Sequence, residues 1–399
     1  MRSKVFISVL VALAMLLSFG VAVKNAQADA ILFPWIVKSN TVSTLVSVVN
    51  TAGDRIFVSG AVVDYRLHYQ YWYKETNANG QTEVCEPVSF KRPTSKDDIV
   101  TFDASCNINL GKALFNDQSP YGDVDFCLSA DAPRRAFLIV DNNTPAMVDR
   151  GVNVDGTLYG EAMVLELAGG AGWGYIAYNA SGGETSTQTG TVDFSDTHDL
   201  LGEVIASDAS PTVNSGELTQ TTLLPPDVIQ TRLFVTPVAV VNSGDPTGTQ
   251  RTGNANARVQ LVYQESPSDW QGGIYDNDEN PIDFVLRKNI VCTSADNLES
   301  FFTTSGWDAF VATGGQGWAY VRTMNGTIDV NPFDLVADNP TNNVIIGKLE
   351  YTTSGVTLDG KTVSGTLNNF VWLRNNATLT AVPGYNGINH IHNQVPSPG

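Results

Sequence analysis

The strongest pattern along the chain has a period of two. Val63, Tyr65, Leu67, Tyr69, Tyr71 and Tyr73 alternate with Asp64, Arg66, His68, Gln70, Trp72 and Lys74. That alternation predicts a long β-strand with the tyrosine set on a buried face and the second set on a polar one. Asn77-Ala78-Asn79-Gly80 follows as a turn, and 82–88 pairs back on the strand as a hairpin. Shorter runs rich in β-branched residues, at 31–37, 43–50, 99–102, 136–140 and 162–167, read as further strands. Short helices are expected at 108–115 and 296–302.

A second regularity lies above the strands. Gly169-Gly170-Ala171-Gly172-Trp173-Gly174-Tyr175 returns as Gly314-Gly315-Gln316-Gly317-Trp318-Ala319-Tyr320, 145 residues later. Leu200-Leu201-Gly202 and Ile345-Ile346-Gly347 keep the same separation. Residues 231–242 resemble 41–50, Tyr263 and Glu265 match Tyr73 and Glu75, and Cys292 matches Cys106 at an offset of 186. The fall in offset implies a 41-residue insertion in the first copy, at about 116–160. The pattern predicts a mainly β protein of two tandem homologous antiparallel β-sandwich domains, each with a short helix. Their bounds are 31–205 and 228–380, joined by a Ser/Thr/Pro-rich linker at 206–227 and followed by a tail at 381–399. Trp173 and Trp318 are expected to be buried at equivalent corners.

The first residues read differently. Arg2 and Lys4 precede an apolar stretch at 5–23, and Ala26-Gln27-Ala28 and Ala28-Asp29-Ala30 offer small residues at cleavage positions. Residues 1–30 are therefore expected to be a cleaved signal peptide, and the mature chain to be secreted: extracellular, at the cell surface or periplasmic. No second long apolar segment follows, so no helical membrane span is expected after cleavage. The net charge is −18, and loss of residues 1–30 removes Arg2, Lys4, Lys24 and Asp29, which leaves 20 basic residues against 40 acidic ones. Such a balance argues against nucleic acid as a partner.

Cys85, Cys106, Cys127 and Cys292 are the four cysteines, an even count that suggests two disulfides in an oxidising compartment. Matching positions pair Cys106 with Cys292 across the domains. The alternative joins Cys85 to Cys106 or Cys127, and full pairing requires an inter-domain bridge to Cys292. Asp276, Asp278 and Asn280 are the candidate calcium ligands, since oxygen donors at alternating positions suit that ion. The run lacks an EF-hand glycine, and a solvated hairpin loop is the simpler reading; no other cofactor is expected. No catalytic motif or His/Cys metal signature stands out. Trp72, on the polar face of the tyrosine strand, is the candidate platform for stacking a sugar.

Phe33-Pro34 through Thr44-x-Val46-x-x-x-Asn50 resembles the start of β-sandwich modules in secreted bacterial surface proteins, and the second copy departs from it with Leu224-Pro225-Pro226. The resemblance implies fold and compartment and carries no activity. The expected function is a non-enzymatic cell-surface or extracellular structural and interaction protein, assembling through sheet edges with itself, other surface proteins or polysaccharide. The alternative is a carbohydrate-binding module or carbohydrate-active enzyme that uses Trp72.

Overall fold

A computed structural model describes residues 30–51, 55–58, 61–64, 66–76, 83–115, 124–131, 134–141, 158–167, 171–180, 204–205, 219–238, 256–266, 269–323, 343–352, 355–358, 360–363 and 365–373. The leader expected at 1–30 lies outside them save for Ala30, and so does the tail at 381–399.

The chain is built of antiparallel strands. The first half contributes β1 (Ala30–Lys38), β2 (Val42–Asn50), the hairpin β3 (Arg55–Val58) and β4 (Ala61–Asp64), β5 (Arg66–Thr76) and β6 (Glu83–Pro93). It continues with β7 (Asp98–Asp103), β8 (Arg134–Asp141), β9 (Leu158–Glu166), β10 (Ala171–Ile176) and β11 (Tyr178–Ala180). After β12 (Val204–Ile205), the second half runs through β13 (Thr219–Leu223), β14 (Gln230–Val238), β15 (Asn256–Ser266), β16 (Asp269–Gly272), β17 (Ile274–Asp276) and β18 (Pro281–Ile282). Then come β19 (Lys288–Val291), β20 (Ser294–Asn297), α1 (Thr304–Ala312), β21 (Gly317–Thr323), β22 (Asn343–Tyr351), the hairpin β23 (Val356–Leu358) and β24 (Lys361–Val363), and β25 (Asn368–Trp372).

Four sheets carry the fold. In the first half the outer sheet has the order β10-β9-β2-β7 and the inner sheet β11-β1-β8-β5-β6. In the second half the inner sheet is β12-β22-β14-β20 with β25 on β22, and the outer sheet is β16-β15-β21-β17-β18 with β13 on β21 and β19 on β15. Outer and inner sheets of the first half meet where Tyr69 packs edge-on against Phe102 and Phe126. A second apolar cluster, including Leu233, Val235, Leu261, Val321 and Ile346, joins the two sheets of the second half.

Burial patterns distinguish the layers. Along β9 buried and exposed residues alternate, as expected of a sheet with one wet face. Along β8, Ala136, Phe137, Leu138, Ile139 and Val140 are all at most 2% exposed, and β22 is buried from Val344 to Glu350. Such continuous runs arise because the inner sheets are covered on both faces. One core cluster accordingly contains first-half residues together with Phe234, Cys292, Ala295, Ile345 and Leu349.

The two halves pair their strands in the same order. β1 with β8, β8 with β5, and β5 with β6 correspond to β13 with β21, β21 with β15, and β15 with β16 and β19. Likewise β7, β2, β9 and β10 correspond to β20, β14, β22 and β25. On this pairing β10 answers to β25, not to the Trp318 strand β21, whose place in the first half is taken by β8. The interval 116–160, expected to be an insertion, contains β8 at the centre of the inner sheet. The linker expected at 206–227 contains β13, which pairs with β21 from Thr219–Val321 to Leu223–Gly317. Val204 and Ile205, placed in the first domain by sequence, pair with β22 of the second half.

The repeated glycines also differ. Gly314 and Gly315 have φ of 95° and 66° and follow α1, whose last turn they close: Gly315 N–H donates to Phe310 O and Gly314 N–H to Val311 O. That is the Schellman arrangement, which needs a left-handed residue at the helix end. The first-half motif is instead entered from β9, with β10 pairing back on it from Glu166–Ala171 to Glu161–Ile176. The helix expected at 296–302 is a strand end and a 3-10 turn (Leu298–Phe301), and α1 begins after Thr303, whose hydroxyl caps Gly306 N–H. Between Asn109 and Gly111 the first half has one 3-10 turn.

Candidate functional site

Where the inner sheets meet, β1 breaks register between Phe33 and Ile36. The bulge turns Trp35 into a corner shared by both halves, where its ring lies edge-on to Tyr175, Phe234 and Phe370 at 5.5, 5.8 and 5.4 Å. Trp173 stacks on Phe370 at 4.4 Å. Gly347 makes room for these rings, since a Cβ there would fall 2.4 Å from Phe370 and 2.8 Å from Trp35. The Tyr175 hydroxyl donates to Trp35 O, and the Pro34 carbonyl accepts from the Thr236 and Thr293 hydroxyls of the second half.

Beside this corner the seam opens into a cleft of about 650 Å³. Its charged lining comes from four strands of the inner sheets and one of the second outer sheet: Lys38 on β1, Lys74 on β5, Arg134 and Arg135 on β8 and Asp296 on β20, with Lys288 on β19. Cross-strand register sets Lys38 directly opposite Arg134. Lys38 Nζ donates to Leu128 O, and burial pulls its pKa down against the attraction of Asp131 and Asp103. Burial likewise lowers Arg135, opposed by Asp296 and assisted by Arg232. Lys288 Nζ lies 4.0 Å from Asp296. Ser294 adds a buried hydroxyl oxygen with no hydrogen-bond partner.

None of these cations was a candidate from sequence. The signals were two basic pairs in an acidic chain, Arg134-Arg135 and Arg287-Lys288; their convergence with Lys38 and Lys74 depends on sheet pairing. The residues that sequence does single out fall elsewhere. Trp72 is 7% exposed and stacks on Phe137 with an 11° interplanar angle, so it is seam packing and presents no sugar platform. The polar face of its strand is covered because the second half packs there. Asp276 Oδ1 accepts the N–H groups of Asp278 and Asn280 at 2.9 and 2.8 Å, so this carboxylate caps the β17–β18 hairpin. Of the three calcium candidates, the structure thus gives Asp276 a loop-capping role; among the described residues no three His, Cys, Asp or Glu form a metal-holding group.

Cys106 is joined to Cys127, with Cα atoms 5.3 Å apart, and not to Cys292 or Cys85. Both cysteines lie beside β7 and the loop that returns to it, which is why the local pair forms. Cys292 is buried and disulfide-bonded, and among the described residues no cysteine is free. The side chain of Cys85 lies outside the described residues.

Two surfaces complete the picture. On the wet face of the first outer sheet, Val49 lies between Ile99 and Tyr159, and Leu45 lies opposite Met163. Ile99, Tyr159 and Met163 are 55%, 40% and 50% exposed. The free side of β7 is partly closed, because Leu114 N–H donates to Thr101 O. On the second outer sheet, Tyr275 and Trp318 are register partners with rings 5.2 Å apart and 31° from parallel, both half-buried. Trp318 thus lies on the face opposite Ala319 and Val321, away from the core that Trp173 helps to build. Among the described residues no helix is long and apolar enough to cross a membrane. No protein-family model matches the chain, and no curated protein or solved structure matches it.

Proposed function

We propose that the protein is a secreted, non-enzymatic interaction protein that associates with a second copy of itself through the wet face of its first outer sheet. The observation that carries this reading is the set of exposed apolar side chains on that face, which flank a polar row of Ser47, Thr101 and Glu161. Ile99, Tyr159 and Met163 stand where an ordinary one-sided sheet places polar residues, and clustered apolar exposure of this kind marks contact surfaces. A face-to-face contact is favoured over strand addition at β7, whose edge is partly closed. Sedimentation velocity over a range of concentrations tests it. Wild type should associate and the Met163→Glu/Ile99→Glu variant should remain monomeric; a wild type monomeric throughout would discard the reading.

The Cys106–Cys127 bridge and the bonded state of Cys292 support an oxidising compartment. We read Cys85, the one other cysteine in the sequence, as the partner of Cys292 and so as a covalent tie between the halves. Peptide mapping without reduction should recover 85 and 292 in one linked peptide. The recurrent pairing order supports descent of both halves from one unit.

A second reading, glycan binding, rests on Tyr275 and Trp318. Their inclined rings, flanked by exposed Gln220 and Thr222, offer an aromatic platform of the sort Trp72 does not. Retention of a glycan by wild type and its loss in Trp318→Ala would favour this reading; equal retention by both proteins would remove it.

A further inference from the structure

The face of β22 that looks into the core of the second half carries Val344 and Ile346 and then, at the same alternation, Lys348 and Glu350. Both charged residues are buried, at 4% and 8% exposure. Lys348 Nζ lies 2.7 Å from Glu350 Oε1 and donates to Thr222 O at 2.9 Å. The other carboxylate oxygen, Oε2, accepts from Asn369 Nδ2 of β25 at 2.8 Å. Register places Asn369 directly opposite Glu350 and diagonal to Lys348, a separation that long side chains span. One carboxylate thus holds an amine and a primary amide side by side. A buried ion pair is seldom more stabilising than apolar residues in its place, so stability alone does not account for this one.

We infer that Lys348 and Asn369 join in an intramolecular isopeptide bond, made by the folded chain itself with Glu350 as the proton carrier. The lysine amine, freed of a proton by Glu350, attacks Asn369 Cγ and forms the new C–N bond. The Cγ–Nδ2 bond breaks as the carbonyl re-forms. Two protons of the Lys348 ammonium pass by way of Glu350 to the departing nitrogen, which leaves as ammonium. Glu350 is regenerated as a carboxylate, and nothing is oxidised or reduced. Holding both groups on one carboxylate turns an encounter into a unimolecular step, and a carboxyl group that touches both acts first as base and then as acid. Asn369 is exposed, so the ammonium has a path to water. The bond ties β25, and with it Phe370 of the shared corner, covalently to β22. It does not depend on self-association through the outer face.

Mass spectrometry of the purified chain, denatured and reduced after folding, tests the assignment. Wild type should weigh one ammonia less than its sequence requires, and a digest should yield a branched peptide that joins 348 to 369. Asn369→Ala should show the full mass. Glu350→Gln, with circular dichroism near that of wild type, should also show the full mass, which a merely structural ion pair would not predict. The wild-type measurement stands whether or not either variant folds. Wild type at full mass, with 348 and 369 recovered in separate unbranched peptides, would overturn the inference. So would a loss of ammonia that Asn369→Ala retains. A branched peptide that persists in Glu350→Gln would overturn the part given to Glu350.

Discussion

β8 and β9 are neighbours in the chain and draw on the same kinds of residue, yet they meet opposite surroundings. β9 alternates, with Leu158, Ala162 and Val164 inside and Tyr159, Glu161 and Met163 outside. β8 has no outside: Ala136 to Val140 are packed on one face against the outer sheet and on the other against the second half. A strand in the first setting needs one good face. A strand in the second must be apolar on both, and an apolar side chain at a wet position of the first kind then calls for a partner. The same contrast separates Trp173, which stacks at the shared corner, from Trp318, which lies on an outer face.

That contrast can be broken at several strengths. The largest effect is expected from alkali. Tyr69, Tyr71 and Tyr175 are fully buried, and burial pushes their pKa values up. Their unfolded counterparts ionise near pH 10, so the stability they contribute is complete below about pH 10 and is lost as pH rises beyond it. Absorbance at 295 nm should show these hydroxyls ionising only as circular dichroism reports unfolding. Tyr159 on the outer sheet and Tyr263, pushed up to about 12 by burial and then by Glu161 and Asp283 respectively, add to the same alkaline loss.

Next comes the corner. Trp35→Ala should cost about 3–5 kcal/mol in urea unfolding, the range for truncating a buried large aromatic, because it empties the space among Tyr175, Phe234 and Phe370. A loss under about 1 kcal/mol would show that the halves do not depend on this contact. Cys106→Ser/Cys127→Ser should cost about 3 kcal/mol, as expected for a bridge across a separation of 21 residues. Met163→Glu should change stability by less than about 0.5 kcal/mol, because its side chain is already half in water. If it unfolds the protein, the outer face is not the free surface described.

The β character of the chain was legible because alternation and β-branched runs are local signals, and the tyrosine strand β5 stands where they place it. Its partner β6 also follows the expected hairpin, from Arg66–Pro93 to Thr76–Glu83. The burial of Trp72 was not legible, because it depends on a sheet formed more than 150 residues later. The glycine-Trp repeat misled for a related reason. Glycine before an aromatic strand serves equally to end a helix, as at Gly314, or to precede a hairpin strand, as at Ala171, and only the pairing of whole strands tells them apart. Of the cleft's cations only the adjacent pairs stood out in the sequence; their meeting with Lys38 and Lys74 was not legible, since they come from strands distant in sequence and meet through register.

The doubly covered inner sheet sets a timetable for synthesis. A ribosome delivers Trp35, Trp72, Phe137 and Ile139 long before Phe234, Gly347 and Phe370 exist to cover them. At about 5–20 residues per second, the interval between Ile139 and Gly347 is roughly 10–40 s. For that time the nascent first half carries an apolar sheet face with nothing against it. A cell that exports the chain unfolded, and releases it whole on the far side, never exposes that intermediate to its neighbours.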